Sequence, residues 1–382
     1  MAISIKEIST RSEIRKFIKF AHRHYKGNPC YVPTLITEET DTLSPKKNPA
    51  FEFCDHIYYM AYKDGKPVGR IAGIINHRSN EIWNEKRARF GWVEFTDDSE
   101  VSRALFEAIE NWAISKGATA IHGPLGFSDL DYEGMLIEGF DQLSTMVTIY
   151  NYSYYPSHIE NLGYAKDADW IEFRIKTMKE VPERYLRVAE IARKRHNLTV
   201  RKFSSVKEIR ENRYDRKIFH LLNESYAQLY GYVPLTDAQI EYYLKIYIPM
   251  LYLDFVTLVT DANDNAIAVG IAFPSLSRAL QRCGGKLLPF GFIHLLRALK
   301  AKGRRDTVDL YLIGVRPDFQ GKGVNALLFN DLSPRFYAKG FRYAESNPEL
   351  ETNLKVQLQW GSYEHVQHKR RRAYIKELGI RN

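Results

Sequence analysis

The stretch that most constrains this chain is residues 308 to 330, VDLYLIGVRPDFQGKGVNALLFN. Val308 to Val315 is apolar with little polar alternation, the pattern of a strand buried on both faces. Arg316-Pro317-Asp318 ends it, because proline offers no N–H and restricts its neighbour. Gln320-Gly321-Lys322-Gly323 then turns the chain, and Val324-Asn325-Ala326-Leu327-Leu328-Phe329 opens an amphipathic helix. Strand, glycine turn and helix start in that order make an anion cradle. Amides at a helix start point outward without intrahelical acceptors, the helix dipole favours negative charge there, and glycine lets a diphosphate come close. Lys322 adds a mobile cation. The spacing is neither that of the nucleotide P-loop nor that of the dinucleotide fingerprint.

The bulk numbers narrow the surroundings of this cradle. A length of 382 residues with 45% hydrophobic content suits two domains, each with its own core. Cys30, Cys54 and Cys283 follow no metal or disulfide spacing, which fits a reducing cytoplasm. The opening MAISIKEIST has no apolar run behind its charges and does not read as a signal peptide. No segment reaches the ~18 to 20 uninterrupted apolar residues that a membrane span needs. A formal net charge of +9 and a pI near 9.1 favour an anionic partner, whether a phosphorylated small molecule, an anionic lipid surface or nucleic acid.

Along the chain the periodicities predict a helix at 12–25 opened by Ser12, a Pro-punctuated arm, and a hairpin from Ile57 to Ile75 turning at Asp64-Gly65. A strand at 90–95, a helix at 100–116 closed by Gly117, a strand at 118–123 and another at 170–175 complete the first half. The second half predicts helices at 182–195, about 206–230 and 236–247. A hairpin over 255–273, an insertion over about 274–306, the focal strand, a helix to Lys339 and a strand at 341–346 follow. The halves repeat: Lys116-Gly117-Ala118 matches Lys339-Gly340-Phe341 at an offset of 223, and Leu105-Phe106 matches Leu328-Phe329 at the same offset. That offset sets Gln320-Gly321-Lys322-Gly323 against Asp97-Asp98-Ser99-Glu100. Three carboxylates with no glycine would repel a diphosphate. The reading is an α/β chain with mixed sheets in two domains, 1–178 without a cofactor loop and 179–382 with one.

The focal stretch resembles motif A of the GNAT superfamily of acyl-CoA-dependent N-acyltransferases: a strand ending Val-x-Pro, then Gln/Arg-x-x-Gly-x-Gly/Ala, then a helix. Here it reads Val315-Arg316-Pro317 followed by Gln320-Gly321-Lys322-Gly323-Val324-Asn325, with Asn325 where the family prefers glycine or alanine. The resemblance implies tandem GNAT-like domains, acyl-CoA as donor substrate, an amine as acceptor and no metal. It also implies pantetheine bonded to the backbone of Leu312, Ile313, Gly314 and Val315, with an oxyanion donor near Ile313 to Val315. The partner strand ends at Glu345-Ser346-Asn347-Pro348. Glu345 is the nominee for general base, against the plainer reading of a surface carboxylate beside Arg342, and Asn347 is grouped with it. The family often places an asparagine early in the next helix and a tyrosine seven residues on as thiolate acid. Asn353 fits, position 360 is a tryptophan, and Tyr363 one turn further would substitute.

Four further stretches carry chemistry. The loop GPLGFSDLDYEGMLIEGFD, with Asp129, Asp131, Glu133 and Glu138, would hold a cationic amine or would simply be a solvated loop. His365 and His368 have no partners for a metal site. The insertion sets Leu287, Leu288, Phe290, Phe292, Ile293, Leu295, Leu296 and Leu299 beside Lys286, Arg297, Lys300, Lys302, Arg304 and Arg305. It reads as a membrane-interface element, a wall of an acyl channel or a helix packed on the sheet. The tail His368-Lys369-Arg370-Arg371-Arg372 reads as a charged strand or helix end near the CoA phosphates in preference to a contact with nucleic-acid or lipid phosphates, since no nucleic-acid-reading motif accompanies it. The acidic loop, YNYSYYPSHIENLGYAKDADW and the ESNPELETN and HKRRRAYIKEL segments together resemble the branch that includes bacterial ceramide synthase-like proteins. That branch implies N-acylation of a long-chain sphingoid amine by a cytoplasmic protein peripheral to the inner membrane face, the first half completing the acceptor site. The alternatives are acetylation of a small amine, Fem-like aminoacyl transfer, and a non-catalytic binding protein of the same fold.

Overall fold

The computed structural model describes residues 3–300 and 306–379, so Lys302, Arg304 and Arg305 of the insertion lie outside it. In chain order the elements begin β1 (Ile3–Glu7), α1 (Arg11–His24), α2 (Ile36–Thr42), β2 (Cys54–Lys63), β3 (Lys66–Asn76), α3 (His77–Ile82), β4 (Arg87–Phe95) and α4 (Ser99–Ser115). Next come β5 (Ala120–Gly123), β6 (Met135–Glu138), α5 (Tyr155–Asn161), β7 (Ala165–Lys176), α6 (Glu183–Arg195), β8 (Thr199–Arg201), α7 (Val206–Glu211), α8 (Tyr214–Tyr226) and α9 (Asp237–Tyr247). The chain continues through β9 (Val256–Thr260), β10 (Ala266–Pro274), α10 (Ser277–Cys283), α11 (Gly291–Leu299), β11 (Thr307–Val315) and α12 (Val324–Ala338). It ends with β12 (Tyr343–Ser346), β13 (Glu349–Leu350), α13 (Leu354–Gln357) and β14 (His365–Glu377).

The chain condenses into two compact units. One comprises Met1–Ile171, Ser277–His294 and His368–Asn382; the other comprises Glu172–Leu276 and Leu295–Gln367. The sequence boundary at 178/179 follows covalent order, whereas packing draws the front of the insertion and the basic tail into the first unit. The Gln281 side-chain amide donates to the carbonyls of Pro29 and Tyr31 at 2.9 Å, and the Ile36 N–H donates to the Gly285 carbonyl at 3.0 Å. The tail is neither a helix end nor a loop: β14 pairs antiparallel with β5 from Tyr374↔Gly123 to Glu377↔Ala120.

In the first unit the strand order is β1-β2-β3-β4-β5-β14, antiparallel except for β4 and β5. Each face is covered by one long helix. Leu105, Ile109 and Trp112 of α4 pack with Ile71, Ile75 and Phe90, while Phe17 and Ile18 of α1 pack with Tyr58, Met60 and Ile74. Gly69 and Gly73 let α4 sit close: a Cβ there would stand 2.7 Å from Leu105 and 2.5 Å from Ile109. The α1 cap is Thr10, not Ser12. Thr10 and Glu13 form a reciprocal capping box, and the Lys6 ammonium together with the Thr10 donors holds Glu13 down to about 2.

In the second unit the order is β7-β12-β11-β10-β9-β8, with β11 and β12 parallel. Val324, Leu327 and Leu328 of α12 pack with Val259, Ile267 and Ala189, and α6 lies against α12. Leu222 of α8 lies against Gly314. The single helix expected at about 206–230 is broken: Arg213, at φ 55, is left-handed and separates α7 from α8. Both units therefore share one plan, a mixed sheet between two helices with a single parallel strand pair near its centre.

Candidate functional site

In the second unit the parallel ladder between β11 and β12 runs only from Thr307↔Tyr343 to Leu310↔Ser346. β11 continues to Val315, so beyond Leu310 the two strands part. The cause is a bulge: Ile271 faces Leu312 and Ala272 faces Leu310, leaving Tyr311 as an extra residue. The Arg316 N–H bonds the Ile267 carbonyl at 2.9 Å, and alternation then gives Leu312 and Gly314 to β10 and turns Ile313 and Val315 into the gap. Two carbonyls confirm the direction. The Tyr226 hydroxyl donates to the Ile313 carbonyl at 2.8 Å, and the Gln320 amide donates to the Val315 carbonyl at 3.2 Å. Of the four backbone groups nominated from sequence, only those of Ile313 and Val315 face the opening.

From Val315 the chain takes eight residues, Arg316 to Gly323, to reach α12. Gly321 and Gly323 have φ of 74° and 77°, which a side chain would strain. A Cβ on Gly323 would also stand 2.8 Å from Val188 of α6. Gly323 is the N-cap, and no side chain caps the helix. The first-turn amides at Val324 and Asn325 therefore receive no acceptor from a capping side chain. Arg316 is spent on Asp318 at 2.7 Å, while Lys322 lies over the Phe319 ring at 5.3 Å. The arrangement can take a phosphorylated group end-on.

The four nominated side chains do not converge. Glu345 lies inside the paired ladder, opposite Asp309 on β11 and Arg174 on β7, one residue short of the opening. Asn347 stands at the apex of the opening: its amide donates to the Tyr311 carbonyl at 2.5 Å, and its Oδ1 is buried with no hydrogen-bond partner among the described residues. Asn353 begins the short α13 without capping it. Tyr363 packs against Phe329 of α12 and Trp360, and burial pushes its phenol up to about 12.

Sequence reasoning passed over two further groups, one of them bonded to the edge of the gap. Glu349, two residues past Asn347, accepts from the Trp360 indole at 2.9 and 3.2 Å, and burial pushes its carboxyl up to about 8 against the donors Trp360 and Ser346. Its sequence signal was its place just past the strand end, obscured by Glu345. Tyr226 is half-buried, desolvation pushes its phenol up to about 12, and nothing in the sequence links α8 to Ile313, since the two are 87 positions apart.

The corresponding junction of the first unit has only three residues, Thr96 to Asp98, between β4 and α4. Asp98 caps α4 by accepting from the Glu100 N–H at 3.0 Å and also binds Lys63 at 2.7 Å; Asp97 pairs with His158 at 2.9 Å. The Lys63 ammonium first, then the backbone donors, hold Asp98 below its ordinary value despite desolvation. β4 and β5 pair only over Arg87 to Arg89, and the free edge of β4 beyond is taken by the chain itself. The Phe95 N–H donates to the Tyr155 hydroxyl at 3.0 Å, and the Tyr154 hydroxyl donates to the Phe95 carbonyl at 2.6 Å.

The acidic loop is folded and not a freely solvated arm: Asp131 accepts from the N–H groups of Phe127 and Ser128, and burial pushes it up to about 6. The basic tail is likewise structural. Arg371 is 0% exposed and bonds the Ile149 carbonyl at 2.5 Å; Arg370 and Arg372 pair with buried Asp169. Asp169 thus pairs with two of the three arginines, and the third is enclosed. Among the described residues no helix is long and apolar enough to cross a membrane.

No protein-family model matches the chain. Protein YghO of Escherichia coli strain K12 is 29% identical over 388 residues, covering 98% of this chain and 95% of that protein. Bacterial ceramide synthase of Caulobacter vibrioides is 28% identical over 322 residues, covering 83% and 82%. Among solved structures, a tandem GNAT protein from the clavulanic acid biosynthesis pathway superposes with a TM-score of 0.57 at 10% identity, covering 100% of both chains. A GCN5-related glucosamine N-acetyltransferase region of a fungal beta-N-acetylglucosaminidase gives 0.56 at 10% identity, covering 98% of this chain and 38% of that one. The chain therefore has the fold of the tandem GNAT proteins and is similar in sequence to bacterial ceramide synthase.

Proposed function

We propose that the second unit transfers an acyl group from acyl-CoA to an amine, and that the amine is a long-chain, sphingoid-like lipid. The single observation that carries the donor half is the uncapped start of α12 behind two left-handed glycines at the mouth of the parted strands. The CoA diphosphate would lie on the amides of Gly321 to Asn325 with Lys322 beside it, and pantetheine along the edge of β11 at Ile313 and Val315, whose carbonyls Tyr226 and Gln320 already engage. The amine attacks the thioester carbonyl, and its proton passes to Glu349, directly or through water. The tetrahedral oxyanion takes a backbone N–H of Ile313 or Val315. Collapse breaks the C–S bond, and the departing thiolate is protonated from Tyr226 or Tyr363. Asn347, with its free buried Oδ1, would orient the amine. Glu349 replaces Glu345 in this scheme because Glu345 sits within the paired ladder.

The lipid acceptor rests on the likeness to bacterial ceramide synthase and on the surface of the insertion. Leu288 is 79% and Phe290 70% exposed, Leu287 and Phe292 flank them, and Lys286 adjoins. An exposed apolar run beside a cation suits contact with an anionic lipid surface.

Isothermal titration with acetyl-CoA and palmitoyl-CoA, followed by assay with sphinganine, tests this reading. Tighter binding and turnover with the long-chain donor are expected. Turnover with acetyl-CoA on small amines alone would select the small-amine acetyltransferase, and binding of neither donor would end the transferase reading.

A further inference from the structure

The first unit contains a cleft that none of the roles above uses. It encloses about 610 Å³ of space, part of it open to solvent, between α1, the segment before α2, β3, β4 and the 146–150 loop. One end is charged. Arg70, 5% exposed, is bound through Nε to Glu94, 6% exposed; it also gives a guanidinium N–H to the Phe17 carbonyl at 2.9 Å and covers the Phe17 ring at 4.7 Å. That guanidinium is spent. Glu39, also 6% exposed, brings a second carboxylate, whose hydrogen bond comes from the Trp92 indole. Two carboxylates and one committed guanidinium leave one negative charge short of a counter-ion in a place shielded from water, where such a charge is costly. The other walls are apolar, with Val32, Val93, Met146 and Ile149. Trp92 holds a left-handed φ of 44°, a conformation a bulky residue keeps only where its surroundings enforce it.

We propose that this cleft binds a primary ammonium group carried on an apolar tail, with Glu39 as the carboxylate that receives the cation. An anion would meet Glu39 and Glu94 with Arg70 already engaged. A neutral ligand would fill the apolar part and leave Glu39 uncompensated. An ammonium satisfies both ends of the cleft at once. Binding of this kind is independent of acyl transfer in the second unit, since no bond is made or broken. The state of Glu39 supports it: burial pushes the carboxyl up to about 7 although Arg70 and the Trp92 donor pull it down, so it is poised to ionise when a cation arrives.

Titration of the full chain with n-octylamine near pH 8, with n-octanol and octanoate as matched controls, tests the site. Octylamine is expected to bind at least about tenfold more tightly than either control, and Glu39→Gln to remove that preference while octanol binding and the unfolding midpoint stay as they were. Near pH 6 octylamine binding should release a proton, read as an enthalpy that depends on the buffer. The groups facing Glu39 are Arg70, Glu38, Asp131 and Tyr31, with Glu94 beyond Arg70. The release should therefore vanish in Glu39→Gln and persist in Asp131→Asn. Met146→Trp, which fills the apolar wall, gives a second measure and should abolish binding. Gly323→Glu, which alters the loop before α12 and its contact with Val188 of α6, should leave octylamine affinity unchanged. Equal affinity for octanol and octylamine, full octylamine binding by Glu39→Gln or Met146→Trp, or loss of binding in Gly323→Glu would overturn the assignment.

Discussion

At the end of β4 the chain needs three residues, Thr96 to Asp98, to enter α4; at the end of β11 it takes eight, Arg316 to Gly323, to enter α12. Both strands carry a bulge and part from a parallel neighbour, and both helices close at a lysine followed by glycine. The difference lies in what satisfies the exposed backbone. In the first unit the chain does so itself: the Asp98 carboxylate caps the helix, and Tyr154 and Tyr155 take the free edge of Phe95. In the second unit Tyr226 and Gln320 take the Ile313 and Val315 carbonyls, but no side chain caps the helix, and two glycines hold the loop open. A fold that parts two strands creates unmet donors and acceptors, and these must go to the chain or to a ligand. The shorter junction is filled from within; the longer one is, on our proposal, filled by CoA.

Four substitutions would break or sharpen this contrast, the largest effect first. Tyr155→Ala removes a fully buried ring that stacks on Phe95 and receives its N–H, and should cost about 3–5 kcal/mol in urea unfolding. A near-neutral result would mean that the tyrosines do not plug the first junction. Gly323→Glu places a negative charge, a strained φ and a clash with Val188 at the second junction. Acyl-CoA affinity should fall at least about a hundredfold, or ~2.7 kcal/mol, by calorimetry; retained binding would put the donor elsewhere.

Glu349→Gln should lower kcat by about a hundredfold and erase the limb of the pH profile that rises through about 8, where the wild-type carboxyl loses its proton. Stability adds a second readout. Folded Glu349 keeps its proton to about 8 and the unfolded group releases it near 4.5, so the folded state binds more protons between those values and wild-type stability declines across that window as pH rises. The glutamine variant should lack this decline. Asp98→Ala, the smallest change, should cost about 1 kcal/mol by loss of the α4 cap and should not create a CoA site, because the tyrosines still occupy β4.

Much of the second junction was legible from local rules. Gly321 and Gly323 adopt the left-handed conformations that a glycine turn implies, Arg316-Pro317 ends the strand, and the repeat at an offset of 223 recovers two helices that close alike. Local rules failed where a side chain answers a distant strand. His158 reaches Asp97 from 61 positions away, Tyr226 reaches Ile313 from 87, and Arg371, read as part of a charged tail near the CoA phosphates, is fully buried against Ile149 from 222. Glu345 and Glu349 differ by four positions, yet the ladder encloses one and the strand end buries the other beside Trp360.

By itself the sequence determined the α/β alternation, the two halves, and which half carries glycines and a cation after its focal strand. These follow from hydrophobic period, proline and glycine stereochemistry and charge, all of which act over a few residues. Only the tertiary structure decided which backbone groups of β11 face the opening, that Glu349 meets the Trp360 indole, and that Glu39, Arg70 and Glu94 share one cleft. Register, burial and the pairing of charges depend on neighbours far along the chain, and those neighbours exist only once the sheets have formed.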